Sequence, residues 1–427
     1  MKKRICLSAI LCMLLFLVVG CGKKEQLTVY IAEEDALYNS TIVKYIKEYP
    51  EKDIDVVYFR TYEEMNEQLQ AEIPNGEGPD VMLFNSFYSD VDPYKLASGG
   101  TLLSLDEQVS ALSEEEYYSV ILDAGKMNGH QYYVPLSWNI LQVYSTQDKM
   151  AENGYDDNMY VTVPAEAEVV KDESELFLST FQGFRSDRMN LFMEIAGTKI
   201  FDPGTGEMTE QKEEIRKAAE FFNVFYDSFP KLIEFGERYN NVSDILHYSF
   251  LVENFSFMHN LRFWETVYPS NVSEEMYFTP ITRLDSDNVT AQVIQYGAVN
   301  ANTKNAEEAW ALLKYLLDAP ISVSFIKYAS QNVYYAPVNI ATYNSTVTAL
   351  VSQKGPGPSG YDSIAPLSME NAQVLSEMPE RISEAVIPNT VFGVVVQECM
   401  EPYLDGEDSF DNCYDNLVQR TKIYLSE

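Results

Sequence analysis

The sequence predicts an α/β protein of two or three domains, and three observations predict it. The first is an alternation of residue periods between positions 27 and 84. Residues 27–31 and 53–58 are rich in β-branched and apolar side chains, whereas 38–49 and 62–73 carry apolar residues at helical spacing. The resulting order, strand, helix, strand, helix, strand, is the mark of a parallel sheet covered by helices. The second is Val81-Met82-Leu83-Phe84, which is apolar without alternation, as in a strand buried on both faces. The third is length: 427 residues exceed one ordinary core.

The chain opens with a targeting signal. Lys2-Lys3-Arg4 is a charged start, residues 5–19 are an apolar run too short to span a membrane, and Val18-Val19-Gly20-Cys21 resembles the bacterial lipobox. Residues 1–20 read as a lipoprotein signal peptide and 21–26 as a polar tether. The lipobox resemblance implies cleavage before Cys21 and acylation of that residue, palmitate included. Two or more acyl chains at roughly 0.8 kcal/mol per buried CH₂ give a stable anchor. No later stretch approaches the roughly 18 apolar residues of a spanning helix.

Further elements follow in order. Polar residues 74–79, Pro74-Asn75-Gly76-Glu77-Gly78-Pro79, stop the second helix and lead into the apolar strand. Asn85-Ser86-Phe87-Tyr88 then breaks that strand. In an open α/β sheet, ligands sit beyond the carboxyl ends of strands, so Asn85 to Tyr88 and the acidic loop Glu33-Glu34-Asp35 are the first places to look. Residues 113–123 predict an acidic helix. Asn128-Gly129 predicts a hairpin turn, with a strand ending at Pro135 and another over 140–145. Residues 213–225 predict an amphipathic helix, and 394–403 and 410–424 read as helical. The last two carry Cys399 and Cys413, for which core packing and a disulfide both remain open.

Composition excludes several functions. From Cys21 onward there are 27 basic against 65 acidic residues, a balance of −38, which no nucleic-acid backbone would attract. The same charge excludes a peripheral membrane protein held by basic residues. The 3 His have no metal-ligand spacing, and there is no Gly-x-Ser-x-Gly, Cys-x-x-Cys or phosphate-cradling glycine loop. Asp285-Ser286-Asp287-Asn288 begins like a calcium loop but lacks the later Gly and Glu. No metal, cofactor or catalytic residue is expected.

Several motifs in order carry a family resemblance. Gly78-Pro79-Asp80-Val81 resembles the strand entry of family 1 extracellular solute-binding proteins of bacterial ABC importers. Asn128-Gly129-His130 to Pro135 resembles their hairpin, with His130 where Lys is commoner, and Phe201-Asp202-Pro203-Gly204-Thr205-Gly206-Glu207 resembles their Phe-Asp turn, with Glu207 for Lys. Glu307-Glu308-Ala309-Trp310 resembles a later helix, Ala336-Pro337-Val338 a Pro-Val step, and the chain from Tyr403 the closing helix. The resemblance spans nearly all of the mature chain. It implies a periplasmic-binding-protein-like fold: two α/β lobes, a hinge of crossing strands and an interlobe ligand cleft. Lobe one would be 27–138 plus 289–335, and lobe two 140–285 plus 341–427. The molecule would be a monomer whose lobes close about a hinge.

Ligand contacts are expected at the strand ends and in a segment similar to the family's Met-x-x-Gly-x-Trp. Trp138 would stack on a ring face while Asn139 hydrogen-bonds, the mixture a sugar needs. Trp264, Arg262 and Asn260 belong to the segment that lacks the family's Gly. Glu33 and Glu34 would accept hydrogen bonds from vicinal hydroxyls. Asn85, Ser86 and Tyr335 complete the list, with Phe181 and Phe392 as further groove aromatics. Each has a plainer alternative in core packing, turn chemistry or a surface ion pair. The expected function is capture of a carbohydrate, an oligosaccharide above all, outside the cell and delivery to the membrane subunits of an ABC permease. A non-sugar solute, a ligand-sensing subunit and a surface glycosidase are the alternatives.

Overall fold

The structure, a computed structural model, describes residues 26–33, 35–86, 88–146, 176–179, 189–220, 222–223, 249–253, 276–319, 336–352, 355–356, 363–364 and 366–427. The first unit runs β1 (Leu27–Ala32), α1 (Ala36–Glu48), β2 (Ile54–Phe59), α2 (Tyr62–Glu72) and β3 (Val81–Asn85). Short helices α3 (Pro93–Ser98), α4 (Asp106–Ser110) and α5 (Ser119–Asp123) lead to a hairpin, β4 (Lys126–Met127) and β5 (His130–Gln131), then to β6 (Tyr133–Asn139) and β7 (Gln142–Thr146). Next come β8 (Leu176–Ser179), α6 (Met189–Ile195), β9 (Phe201–Asp202), β10 (Glu207–Met208), β11 (Ser249–Glu253), β12 (Met276–Pro280) and β13 (Val289–Val299). The chain continues through α7 (Ala306–Asp318), β14 (Ala336–Pro337), α8 (Ile340–Ser352), β15 (Gly355–Pro356), β16 (Ser363–Ile364) and α9 (Met369–Arg381). It closes with β17 (Ile382–Val386), α10 (Thr390–Leu404) and α11 (Phe410–Ser426).

Two sheets organise the chain. The larger has seven strands in the order β14-β6-β13-β3-β1-β2, with β17 also paired to β13. β1 lies parallel to β2 and β3, as the alternating periods predict, while β13 runs antiparallel to β3 and β6. Every residue of β3 and β13 is buried, which explains the apolar run Val81 to Phe84 and the mostly apolar β13. Helices α2 and α7 pack on this sheet, and α7 also touches α1. Phe84, Tyr133 and Tyr296 meet ring to ring at its centre, Tyr296 lying 5.2 Å from both of the others. The second sheet has four strands in the order β12-β7-β11-β8.

The chain crosses between the sheets at 140–141 and at 281–288. Ile281 N–H donates to the Leu141 carbonyl at 2.9 Å, so the two crossings hold each other. β17 then returns to the large sheet, parallel to the start of β13, with Val386 opposite Gln292. β17, which lies within the segment 341–427 that the sequence assigns to lobe two, thus pairs in the same sheet as β1 to β3.

Two local expectations are corrected. Residues 113–123 form turns followed by the single short helix α5, because the acidic first half makes tight turns closed by Glu116 N–H and Tyr117 N–H on the Ser113 carbonyl. β6 runs through Pro135 to Asn139. Pro135 faces Tyr296 of β13, while β14 pairs only with Ser137 and Trp138, so the missing N–H costs no bond on that side. The hairpin turn is as predicted: Asn128 and Gly129 have φ of 50° and 82°, both positive as a type I′ turn requires. It docks on the Phe-Asp turn, Asn128 N–H donating to the Pro203 carbonyl at 3.0 Å and Gly129 N–H to Gly204 at 2.6 Å.

Candidate ligand-binding site

The carboxyl ends of β1, β3 and β6 flank the middle of β13 where the loops after β1 and β3 leave the large sheet. Register places Gln295 of β13 opposite both Asn85 of β3 and Ser137 of β6. The β6–β13 register shifts on either side of Gln295. On the other side of β13 the ladder to β3 continues one step further, the Ile294 carbonyl accepting from Ser86 N–H at 2.8 Å.

Asp35 is the hub of this end of the sheet. It is buried, and its carboxylate caps α1 by accepting from Tyr38 N–H at 3.1 Å. It also accepts from Tyr62 Oη at 2.7 Å and from Gln295 Nε2 at 2.9 and 3.1 Å. Gln295 Oε1 in turn accepts from Ser137 Oγ at 3.1 Å. A relay of Ser137, Gln295, Asp35 and Tyr62 thus fixes four polar groups from four separate elements. Tyr62 carries a second aromatic: the Tyr88 ring stacks on it at 5.6 Å and 11°, while Tyr88 itself remains 52% exposed. Asn66 Nδ2 donates to the Tyr88 carbonyl at 3.1 Å and sets the loop. The site joins an open aromatic face to a buried polar floor, and none of Asp35, Asn85, Ser86, Tyr88, Ser137, Asn139, Gln292 and Gln295 is a cation.

The expected contacts fall unevenly on this geometry. Asn85 and Ser86 stand at the tip of β3 and are buried. The Ser86 hydroxyl is engaged with the Val293 carbonyl at 2.9 Å, so it orders the tip. Glu33 is exposed at the end of β1, its N–H bonded to the Phe59 carbonyl. Trp138 is wholly buried: it stacks on Tyr343 at 5.6 Å and 18°, meets Tyr118 edge-on, and donates Nε1–H to the Pro337 carbonyl at 3.1 Å. The ring face expected for a ligand is covered by a side chain of α8, and Trp138 packs the junction instead. Asn139 is also buried, opposite Gln292. Phe392 is core, against Phe201 and Tyr424. Cys21, Glu34, Phe181, Asn260, Arg262, Trp264 and Tyr335 lie outside the described residues.

Gln295 and Tyr62 of this cluster were not among the residues expected from the sequence, and Tyr88 was expected only as the end of the stretch Asn85 to Tyr88. The signal for Gln295 was present: Gln292 and Gln295 are polar residues within eleven that are otherwise mostly apolar. Buried polar side chains continue along the crossings, with Asn139, Gln142, Thr282 and Gln292 all enclosed. Among the described residues, no group of three His, Cys, Asp or Glu could hold a metal ion, and no helix is long and apolar enough to cross a membrane. Cys399 and Cys413 are free and buried.

The fold matches solved structures along most of its length. The sugar-binding protein MalE from Xanthomonas citri aligns at TM-score 0.67 and 15% identity, covering 94% of this chain and 97% of that one. A putative oligosaccharide periplasmic-binding protein from Synechococcus sp. MITs9220 aligns at TM-score 0.63 and 17% identity, covering 94% and 99%. An ABC transporter solute-binding protein from Thermotoga lettingae, bound with alpha-D-tagatose, aligns at 0.58 and 14%, covering 94% and 100%. These likenesses establish the two-lobe periplasmic-binding-protein fold. Comparison of the sequence with curated proteins returns no match. The family model for bacterial extracellular solute-binding proteins matches residues 41–339, well over half of the chain, and this protein belongs to that family.

Proposed function

We propose that the protein is a lipid-anchored receptor that captures a carbohydrate, an oligosaccharide above all, and delivers it to the membrane subunits of an ABC permease. The observation that carries the reading is the half-exposed Tyr88 ring, held on Tyr62 beside the buried Asp35–Gln295–Ser137 relay. A sugar presents an apolar CH face and a rim of hydroxyls: the Tyr88 ring suits the first, the buried relay holds that ring's support in place, and partners for the second are sought on the loops that leave β1 and β3 beside it. An anionic solute would want convergent Arg or Lys, and the strand tips supply a carboxylate. The sugar-binding relatives favour the same reading. In this account Cys21 bears the lipid, and Glu34, Asn260, Arg262, Trp264 and Tyr335 are the candidates for the remaining contacts.

A thermal-shift screen of the protein against saccharides, amino acids, peptides and organic acids tests it. A ligand present at 100 times its Kd adds about 2.7 kcal/mol, a readable rise in Tm. The expected result is a shift from one saccharide class, with the sugar recovered unchanged. A shift from an anion or peptide alone, or cleavage of the sugar, contradicts the proposal.

A further inference from the structure

A hinge needs a fixed point and some slack, and both are present on the side of the crossings where β17 lies. The fixed point is the Glu384 carboxylate. It accepts from Lys199 Nζ at 2.5 Å and from Arg283 Nη1, while Lys199 also approaches Asp202 at 3.7 Å. Arg283 is anchored further by Asp285, its Nε donating to Oδ1 at 3.0 Å, and by Thr290 Oγ1 at 3.5 Å. The four charged residues at the centre come from different parts of the chain: Lys199 and Asp202 from lobe two, Arg283 from the second crossing, and Glu384 from the strand that returns to the large sheet. The side chains are largely withdrawn from water, Arg283 at 13%, Lys199 at 23% and Glu384 at 25% exposure, so solvent screens the cluster less than a surface pair. Gly197 is shaped to admit it: with φ of +81°, a Cβ there would lie 2.8 Å from the Arg283 guanidinium.

The slack is a cavity of about 270 Å³ beside the cluster. Val120, Ala124 and Lys126 border it from lobe one, Glu194 and Pro203 from lobe two, and β17 lies along it. Relative movement of the lobes must change its volume, while the ion cluster on its wall keeps the three segments together.

We propose that Glu384 is the pivot of lobe movement, a charged pin about which lobe two turns, so that its negative charge sets how narrowly the lobe angle is held. The proposal rests on the two-lobe fold and needs no particular solute. It is tested without ligand, by pulsed electron spin resonance between nitroxides at Lys47→Cys in α1 and Lys217→Cys in the helical residues 212–220, in a Cys21→Ala background. With Glu384 intact the distance distribution is narrow. Glu384→Gln, nearly the same shape without the charge, should at least double its width, and Glu384→Asp should restore most of the narrowness. Lys199→Gln, which leaves the Arg283 pair in place, should broaden it less. An unchanged width in Glu384→Gln at equal thermal stability overturns the proposal. Should Glu384→Gln fail to fold, Lys199→Gln decides: broadening supports the pin, and an unchanged width refutes it.

Discussion

Tyr88 carries the most specific claim at the scale of single residues. Its ring is 52% exposed and stacks on Tyr62 at 5.6 Å. Tyr88→Ala should leave Tm within about 2 °C of the parent, because exposed substitutions change stability by about 0.5 kcal/mol or less. Asp35 behaves in the opposite way. Asp35→Ala leaves Tyr62 Oη and Gln295 Nε2 without their buried acceptor and removes the α1 cap, costing about 1–3 kcal/mol in chemical denaturation. Glu194 gives a pH prediction. Burial, with Glu384 nearby, raises its pKa from the ordinary 4.5 to about 8, against the opposing pull of Lys199 and a hydrogen bond from Asn190. Between those values the folded chain holds a proton that the unfolded chain has released. The stability this proton confers is full below pH 4.5 and is lost as pH rises to about 8. Glu194→Gln should remove that decline, about 1.4 kcal/mol per pH unit at its steepest, in denaturation midpoints measured from pH 5 to 8. Trp138 shows where single residues mislead: sequence places a tryptophan near a strand end, but Tyr343, which covers it, is some two hundred positions away.

Elements were legible where one local rule decided them. The apolar run of β3, the periods of α1 and α2, and the Asn128-Gly129 turn each follow from neighbouring residues alone. The 113–118 turns were not, since charged residues suit a helix and a turn alike, and the bonds to the Ser113 carbonyl decided between them. The pairing of β17 with β13 was also hidden, because its partner lies nearly a hundred residues earlier. The family-like Gly-Pro-Asp entry has a physical basis. Asp80 accepts from Thr28 N–H at 2.8 Å and from Thr303 Oγ1 at 2.5 Å, and its carbonyl takes Asn300 N–H at 3.0 Å. One residue therefore ties β1, β3 and the turn after β13. Asp80→Ala should cost about 1–3 kcal/mol and raise amide exchange first in β1 and in the 300–305 turn.

At the scale of the whole molecule, the large sheet and the loops after its first and third strands bring the aromatic and polar groups together at one end of that sheet. The fold class was readable because it depends on the order of periods. The candidate site was readable only as a region: the sequence pointed to Asn85 to Tyr88, at whose end the structure sets the Tyr88 ring on Tyr62, but Asp35 and Gln295 are 260 residues apart, and only folding joins them. The central claim is that ligand sits on the strand tips of the large sheet, against Tyr88. Isothermal titration of the parent and Tyr88→Ala with the saccharide found by screening tests it most directly. The account predicts a loss of affinity of about tenfold or more, the worth of one aromatic contact of about 1.4 kcal/mol. Equal affinity in the two proteins would contradict it.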